Sequence, residues 1–365
     1  MKLLYITNGI TGSGGLERVL SVKASFLAEE YGHVVHILSL NEHGKISFFN
    51  FSDKVIRHSI SVSGNPFQYL KSYTRGIKQT VQKINPDIIS VCDDGLKGFF
   101  LPWVLGSKIP IIYERHVSKL IENQHGNRAF LKLKYWLMNF LANDFDRFVV
   151  LTEGNKKEWP LKNLEVIPNP LPFFPEKSAD LSSNKIIAVG KESYQKAYDL
   201  LLKSWSLVKN KENWELHIYG QKDSSLGLVD LAERLAVSKS VFFHDPAVNI
   251  EECYEKSSIF VLSSRFEGFG MVIIEAMAHG LPVLSFDCPY GPGDIIDHNT
   301  TGYLIPTGDI TGFSEKLQNL MTSAVLRNQL GSNGRVEIEK YKAEKIVNRW
   351  DALFKELVKN HKKNE

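Results

Sequence analysis

Cysteine is scarce in this 365-residue chain: Cys92, Cys253 and Cys288 are the only three, widely separated and without a C-x-x-C spacing. A disulfide framework or a thiolate zinc site is thereby disfavoured, and a reducing, cytoplasmic setting fits. Long hydrophobic runs are missing as well; no stretch reaches the ~18 apolar residues of a membrane span. The apolar opening, residues 1–7, stops at Asn8-Gly9, too short for a secretory leader, and reads as a first buried strand. Charge of one sign is also lacking. The 44 Lys and Arg against 41 Asp and Glu leave a formal net charge of +3. That is too mild for nucleic acid as the main partner, and it leaves open a local basic patch toward phosphates or an anionic membrane.

What is present is ordinary for a globular protein, with 43% hydrophobic and 23% charged residues. Domains of roughly 100–200 residues make two the natural number for this length. Short apolar runs at 3–7, 34–40, 87–92, 109–113 and 147–151 alternate with helical stretches at 16–31 and 128–141. The Pro-rich segment Val166-Ile167-Pro168-Asn169-Pro170-Leu171-Pro172 interrupts the pattern, which restarts with strands at 186–189, 215–219, 241–243, 259–262, 282–286 and 303–305. Helical stretches at 310–322 and 343–359 close the chain. Such alternation predicts two doubly wound parallel α/β domains, with ligands outside the carboxyl ends of the strands and a cleft between the domains. The expected boundaries are 1–168 and 169–340, with 341–365 a C-terminal helix that packs back on the first domain.

Two strand-to-helix loops carry the chemistry. The first, residues 8–17, contains Gly12, Gly14 and Gly15, whose backbone N–H groups can approach a phosphate at a helix start. It is neither a dinucleotide fingerprint, because Glu17 stands at the last Gly position, nor a P-loop, because Leu16 follows Gly15. A plain turn remains the alternative. The second is Ser263-Ser264-Arg265-Phe266-Glu267-Gly268-Phe269-Gly270-Met271, leading into a helix over 271–279 that stops at Gly280. Gly268 and Gly270 make the tight turn, and Gly270 and Met271 offer N–H groups to a diphosphate at the helix start. Glu267 in the loop and Glu275 inside the helix can each accept hydroxyl hydrogen bonds in pairs, so two carboxylates can grip two sugars of one ligand. Taken alone, each reads better as a solvated charge.

The second loop resembles the E-x7-E signature of retaining glycosyltransferases of family 4, with Glu267 and Glu275 at the two glutamates. The resemblance runs along most of the chain. Val189-Gly190-Lys191, followed by Lys196-Ala197-Tyr198-Asp199-Leu200-Leu201, is similar to V-G-R…K-G-x-D-x-L-L. Ile167-Pro168-Asn169-Pro170 is similar to I-P-N-G, and Thr301-Gly302-Tyr303-Leu304-Ile305-Pro306 to T-G-x-L-V-P. Gly14-Gly15-Leu16-Glu17-Arg18-Val19 resembles the G-G-A-E-R-V opening of bacterial polysaccharide members. Departures are Lys191 where Arg is usual, Ala197 where Gly is usual and, in the loop Pro289-Tyr290-Gly291-Pro292-Gly293-Asp294-Ile295-Ile296, Asp294 where Glu is usual.

The resemblance implies the GT-B fold and transfer of a hexose or N-acetylhexosamine from a nucleotide diphosphate sugar, UDP-linked by preference, with retention. The acceptor it implies is a glycan or a polyprenyl-diphosphate-linked glycan of a surface polysaccharide. Glu267, His116, Lys191 and Lys196 are then the catalytic candidates. Gly14, Gly15, Gly190, Gly268, Phe269, Gly270, Met271 and Glu275 are the donor-binding ones. Lys191 and Lys196 stand in for a cation at the leaving diphosphate, so no metal or other cofactor is expected. Asp144-Phe145-Asp146 is a D-x-D, but it precedes a strand and reads as a cap. Residues 127–140 mix Arg128, Lys132 and Lys134 with Phe130, Leu131, Tyr135, Trp136, Leu137 and Met138. With 99–103 they read either as a face toward the inner side of a membrane or as core. Rival readings are a phosphorylase or epimerase on the same fold, and a non-catalytic nucleotide-sugar-binding partner.

Overall fold

The computed structural model describes residues 1–93, 95–106, 109–119, 128–211 and 213–364, and no side chains at 128–130 and 364. The chain divides into two units, Met1–Pro172 with Ala343–Glu365, and Phe173–Lys342. In the first, mostly buried apolar runs form β1 (Lys2–Thr7), β2 (Val34–Leu40), β4 (Ile88–Cys92), β5 (Ile111–Glu114) and β6 (Arg147–Val150), and the less buried β3 (Ile56–Ile60) and β7 (Leu164–Val166) lie at the edges. They make one seven-stranded parallel sheet of order β3-β2-β1-β4-β5-β6-β7. Its helices are α1 (Gly15–Glu29), α2 (Pro66–Ile84), α3 (Leu101–Leu105), α4 (Arg128–Ala142) and α5 (Glu153–Lys156). Crossovers between parallel strands are right-handed. The connections through α2, α3 and α4 all run toward β7, so these helices share one face of the sheet, and their inner residues Tyr73, Ile77, Leu101, Met138 and Leu141 meet in one core.

The second unit is a six-stranded parallel sheet built from β8 (Lys185–Val189), β9 (Glu215–Tyr219), β10 (Val241–His244), β11 (Ile259–Leu262), β12 (Val283–Asp287) and β13 (Gly302–Pro306). Its order is β10-β9-β8-β11-β12-β13. The helices are α6 (Tyr198–Leu207), α7 (Leu228–Arg234), α8 (Ile250–Glu255), α9 (Met271–Ala278), α10 (Pro292–Ile295), α11 (Ile310–Thr322) and α12 (Ala324–Glu337). The closing helix α13 (Ala343–Asn364) belongs to the first unit and packs on α1.

The expected class, two doubly wound parallel α/β sheets, is what the chain adopts. Strand order reverses between β1 and β4 in one sheet and between β8 and β11 in the other. Such switch points open a crevice at the carboxyl ends of the strands. They are occupied by the residues after β1, β4, β8 and β11.

Among the elements that the sequence pattern did not give as such are β3, β7, α2, α3, α5 and α12. The strand expected over 109–113 begins at Ile111 instead, since Pro110 has no N–H to give, and Ile111 N donates to Asp146 Oδ2 (2.7 Å).

Candidate active site

Both chemistry-bearing loops of the second unit leave the switch-point strands β8 and β11. After β11 the chain turns through Ser263–Gly270 with Gly270 at φ +97°, a left-handed conformation that glycine takes without steric cost, and α9 starts at the next residue. After β8 it passes Gly190, Lys191 and Lys196. The two loops are stitched together. Ser263 Oγ donates to Lys196 O (2.7 Å), Arg265 N to Gln195 O (2.8 Å), and the Arg265 guanidinium to Asp199 Oδ2 (2.7 Å).

Glu267 is held inside this joint and is only 5% exposed. Its Oε1 accepts from Lys196 Nζ (2.8 Å) and from Ser264 Oγ (2.6 Å), and its backbone N–H donates to Pro289 O (3.2 Å). A buried carboxylate is tolerated only when paired and hydrogen-bonded, and both conditions are met on one oxygen. Lys196 in turn lays its aliphatic stem over Gly190, where an added Cβ would meet Lys196 Cε at 2.6 Å. Lys191 is exposed and makes no ion pair among the described residues. The two lysines therefore differ: Lys196 orients Glu267, while Lys191 is the cation free to meet an incoming anion.

Glu275, 3% exposed, sits one turn into α9, where its Oε2 accepts from Tyr254 Oη (3.1 Å). Tyr254 packs against His279 with the rings tilted and their centroids 5.2 Å apart, and a ring nitrogen of His279 bonds Glu275 O (3.0 Å). Gly268, Phe269 and Met271 lie between the two glutamates, with Phe269 buried. The loop after β12 crosses the same place: Cys288 is buried, and burial and then the Glu267 charge push its thiol up. Tyr290 there holds φ +62°, and Asp294 Oδ2 accepts from Gly291 N (3.3 Å), capping α10.

In the first unit, the loop after β1 carries Gly14 and Gly15 at the start of α1, with open space beside Gly15. The amide donors just upstream are already used. Ile10 N and Thr11 N donate to the Glu42 carboxylate at 2.9 and 3.1 Å. Glu17 folds its own carboxylate against Gly12 and Gly14, and its pKa is raised by burial and by Glu42. Any phosphate here meets the first turn of α1 and not the whole loop. After β4, Asp93 is tied to Asn8 Nδ2 (2.9 Å) and Gly95 N (2.8 Å).

His116 follows β5 and is largely buried, its Nε2 3.3 Å from Glu114 Oε2. Glu114 also accepts from Ser90 and from the fully buried Lys23, whose ammonium lies 3.9 Å from the Trp350 ring of α13. Burial alone raises the Glu114 carboxyl, but Lys23 and His116 outweigh it and hold it at about 2. Cys92, Glu114 and His116 bring ligand atoms within 4.8 Å of one another. Lys23 already supplies the cation there. Of the D-x-D, Asp144 accepts from Trp103 Nε1 (2.8 Å), and Asp146 bonds Ile111 N and a ring nitrogen of His361, each at 2.7 Å.

Sequence reasoning missed Ser264, Tyr254, Glu114 and Lys23. Ser264 stood inside the quoted motif. Tyr254 and Lys23 act through contacts distant in sequence that no local pattern reports, while Glu114 stands two residues before the His116 it holds.

The two sheets define a GT-B class of fold, shared with solved structures such as Anabaena HepE in complex with UDP and glucose. That chain is 15% identical with a TM-score of 0.79, and the match covers 98% of this chain and 100% of that one. In sequence, an uncharacterized glycosyltransferase of Haemophilus influenzae is 30% identical over 362 residues, 97% of this chain and 99% of the relative. The amylovoran biosynthesis glycosyltransferase AmsD of Erwinia amylovora is 30% identical over 367 residues, again 97% and 99%. The family profile described as glycosyl transferases group 1 matches residues 172–337. The chain belongs to this glycosyltransferase family.

Proposed function

We propose that this glycosyltransferase moves a hexose or N-acetylhexosamine from a UDP-sugar to a glycan or polyprenyl-diphosphate-linked acceptor, with retention and without a metal, in assembly of a bacterial surface polysaccharide. The observation that carries the reading is the pair of buried carboxylates flanking the start of α9, each with one oxygen fixed by a protein hydroxyl, from Ser264 on Glu267 and from Tyr254 on Glu275. Glu275 then serves the ribose diol and Glu267 the transferred sugar. The complex of HepE with UDP and glucose supports the choice of base, and the name of AmsD supports a polysaccharide product.

The chemistry follows from the charges. The bond from the anomeric carbon to the β-phosphate oxygen breaks, and a new bond to the acceptor oxygen forms on the same face. The acceptor proton passes to the departing diphosphate. Lys191 and the N-terminal dipole of α9 stabilise the negative charge that develops on it, joined by Lys196, whose ammonium is shared with Glu267. His116, its ring held by Glu114, contacts the sugar or the acceptor as a positioning group. The loops of the first unit serve the acceptor, and the enzyme works at the cytoplasmic side of the membrane.

The test is turnover of UDP-glucose, UDP-galactose and their N-acetyl forms with polyprenyl-diphosphate-linked glycans, in EDTA, with the anomeric proton of the product read by NMR. Release of UDP with an α-linked product from an α-donor is the expected result. A β-linked product, strict dependence on added divalent metal, or phosphorolysis in place of transfer overturns the corresponding part of the reading.

A further inference from the structure

The layer α2–α3–α4 of the first unit has an outer face that its own fold does not explain. Helix α2 carries Lys71, Arg75, Lys78 and Lys83 and no acidic residue. Phe67, Lys71, Arg75 and Lys78 recur at intervals of four, four and three, which puts them in one exposed stripe, set apart from the side that buries Tyr73, Ile77 and Val81. None of the four cations makes an ion pair among the described residues. The end of the helix adds Phe67, 76% exposed, and exposed Leu70.

Aromatic groups continue the face. Residues 127–140 divide as a helix should: Leu131 and Met138 face the core, while Leu133, Trp136 and Phe140 point to solvent beside exposed Lys132. Asn127 and the side chains of Arg128 and Phe130 lie outside the described residues. Trp136 is 63% exposed and stacks on Phe140 at 6.0 Å. Phe140 meets the exposed Trp103 of α3 at 6.3 Å, and α3 contacts α2. Phe99 and Leu101, which the sequence left open between this face and the core, are buried.

We infer that this face docks on an anionic lipid bilayer, the unpaired cations of α2 at the headgroups and Trp103, Trp136, Phe140 and Leu133 in the interfacial region. Charge decides the occupant. A second copy would bring the same cations against themselves, and a neutral apolar partner would leave the α2 stripe unanswered, whereas an anionic surface satisfies both parts. Indole and phenyl rings prefer that boundary. Among the described residues no helix is long and apolar enough to cross a membrane, so contact is made from one side by this face. The inference concerns the partner of the reading above but stands on different residues, so either can fail alone.

The experiment is co-sedimentation of the full chain with phosphatidylcholine vesicles with and without about 30% phosphatidylglycerol, at about 0.1 and 0.5 M salt. Binding to the anionic vesicles alone, weakened by salt, is expected. Each cation removed should weaken partitioning about fivefold, so Lys71→Gln with Arg75→Gln and Lys78→Gln should lose it, as should Trp136→Ser with Phe140→Ser. The UDP-induced thermal shift of these variants, read in parallel, should match the wild type and show that they are folded. No binding by the wild type, binding indifferent to lipid charge, or binding undiminished in the folded variants overturns the proposal. Capture of an acidic protein in place of vesicles does so as well.

Discussion

Replacing Tyr254 by Phe removes one oxygen from the structure and little else. The ring stays packed between Phe260 and His279, so no large cavity opens. What is lost is the phenol O–H that reaches Glu275 Oε2 at 3.1 Å, in surroundings where that carboxylate is only 3% exposed. A hydrogen bond to a charged group contributes about 1.5–3 kcal/mol, and water cannot readily replace it at a buried oxygen. The carboxylate then either turns toward another donor or stays poorly solvated, and both outcomes spoil the aim at a ribose diol proposed for it. The expected result is a loss of about 2 kcal/mol in unfolding free energy and roughly a tenfold weaker UDP affinity, from a factor of ten per 1.4 kcal/mol. Chemical denaturation and titration calorimetry measure the two. Wild-type UDP affinity in a variant that has lost stability would refute a positioning role and leave Tyr254 as core packing.

Three further outcomes follow from the same geometry. Ala197 sits in the left-handed region at φ +51°, so Ala197→Gly should stabilise by about 1 kcal/mol in thermal unfolding, and destabilisation would show the Cβ contacts to matter more than the strain. Lys23→Met strands the buried Glu114 carboxylate and should cost about 3–5 kcal/mol at neutral pH by denaturant unfolding. Glu114 lies at about 2, below its ordinary 4.5, so its contribution is complete above 4.5 and disappears as pH falls toward 2; the penalty of the Lys23 variant should shrink across that window. Lys191→Ala should weaken UDP-sugar binding about fivefold and flatten its salt dependence in calorimetry, while Lys191→Arg keeps both.

The fold was legible where local pattern and tertiary role agree. Doubly buried strands such as β1, β4 and β11 announce themselves as apolar runs, and Gly280 marks the end of α9. β3 carries Arg57 and His58 on a half-exposed edge, so it shows no such run. β7 is a three-residue edge pairing folded into the approach to the Pro-rich stretch. In α12, Gly331 and Gly334 weaken the helical signal. They are there because a Cβ on Gly331 would come 2.0 Å from Gly280 O, a tertiary contact that outweighs helix propensity. The site divides in the same way. Glu267 and Glu275 stand in one contiguous motif, but what holds them comes from far along the chain: Lys196 is 71 residues from Glu267, and Tyr254 is 21 from Glu275. Spacing along a sequence does not encode such partners, and only the parallel strand order brings them to one place.

The most direct test of the donor site is a thermal-shift comparison of UDP, GDP and ADP and their hexose conjugates, with and without EDTA, on the wild type and on Glu275→Ala. A ligand at 100 times its dissociation constant stabilises the folded state by roughly 2.7 kcal/mol, well within reach of the method. The account predicts a shift with UDP and UDP-sugars, indifferent to EDTA and abolished in Glu275→Ala. No shift with any nucleotide, or a UDP shift that survives in the variant, would contradict it.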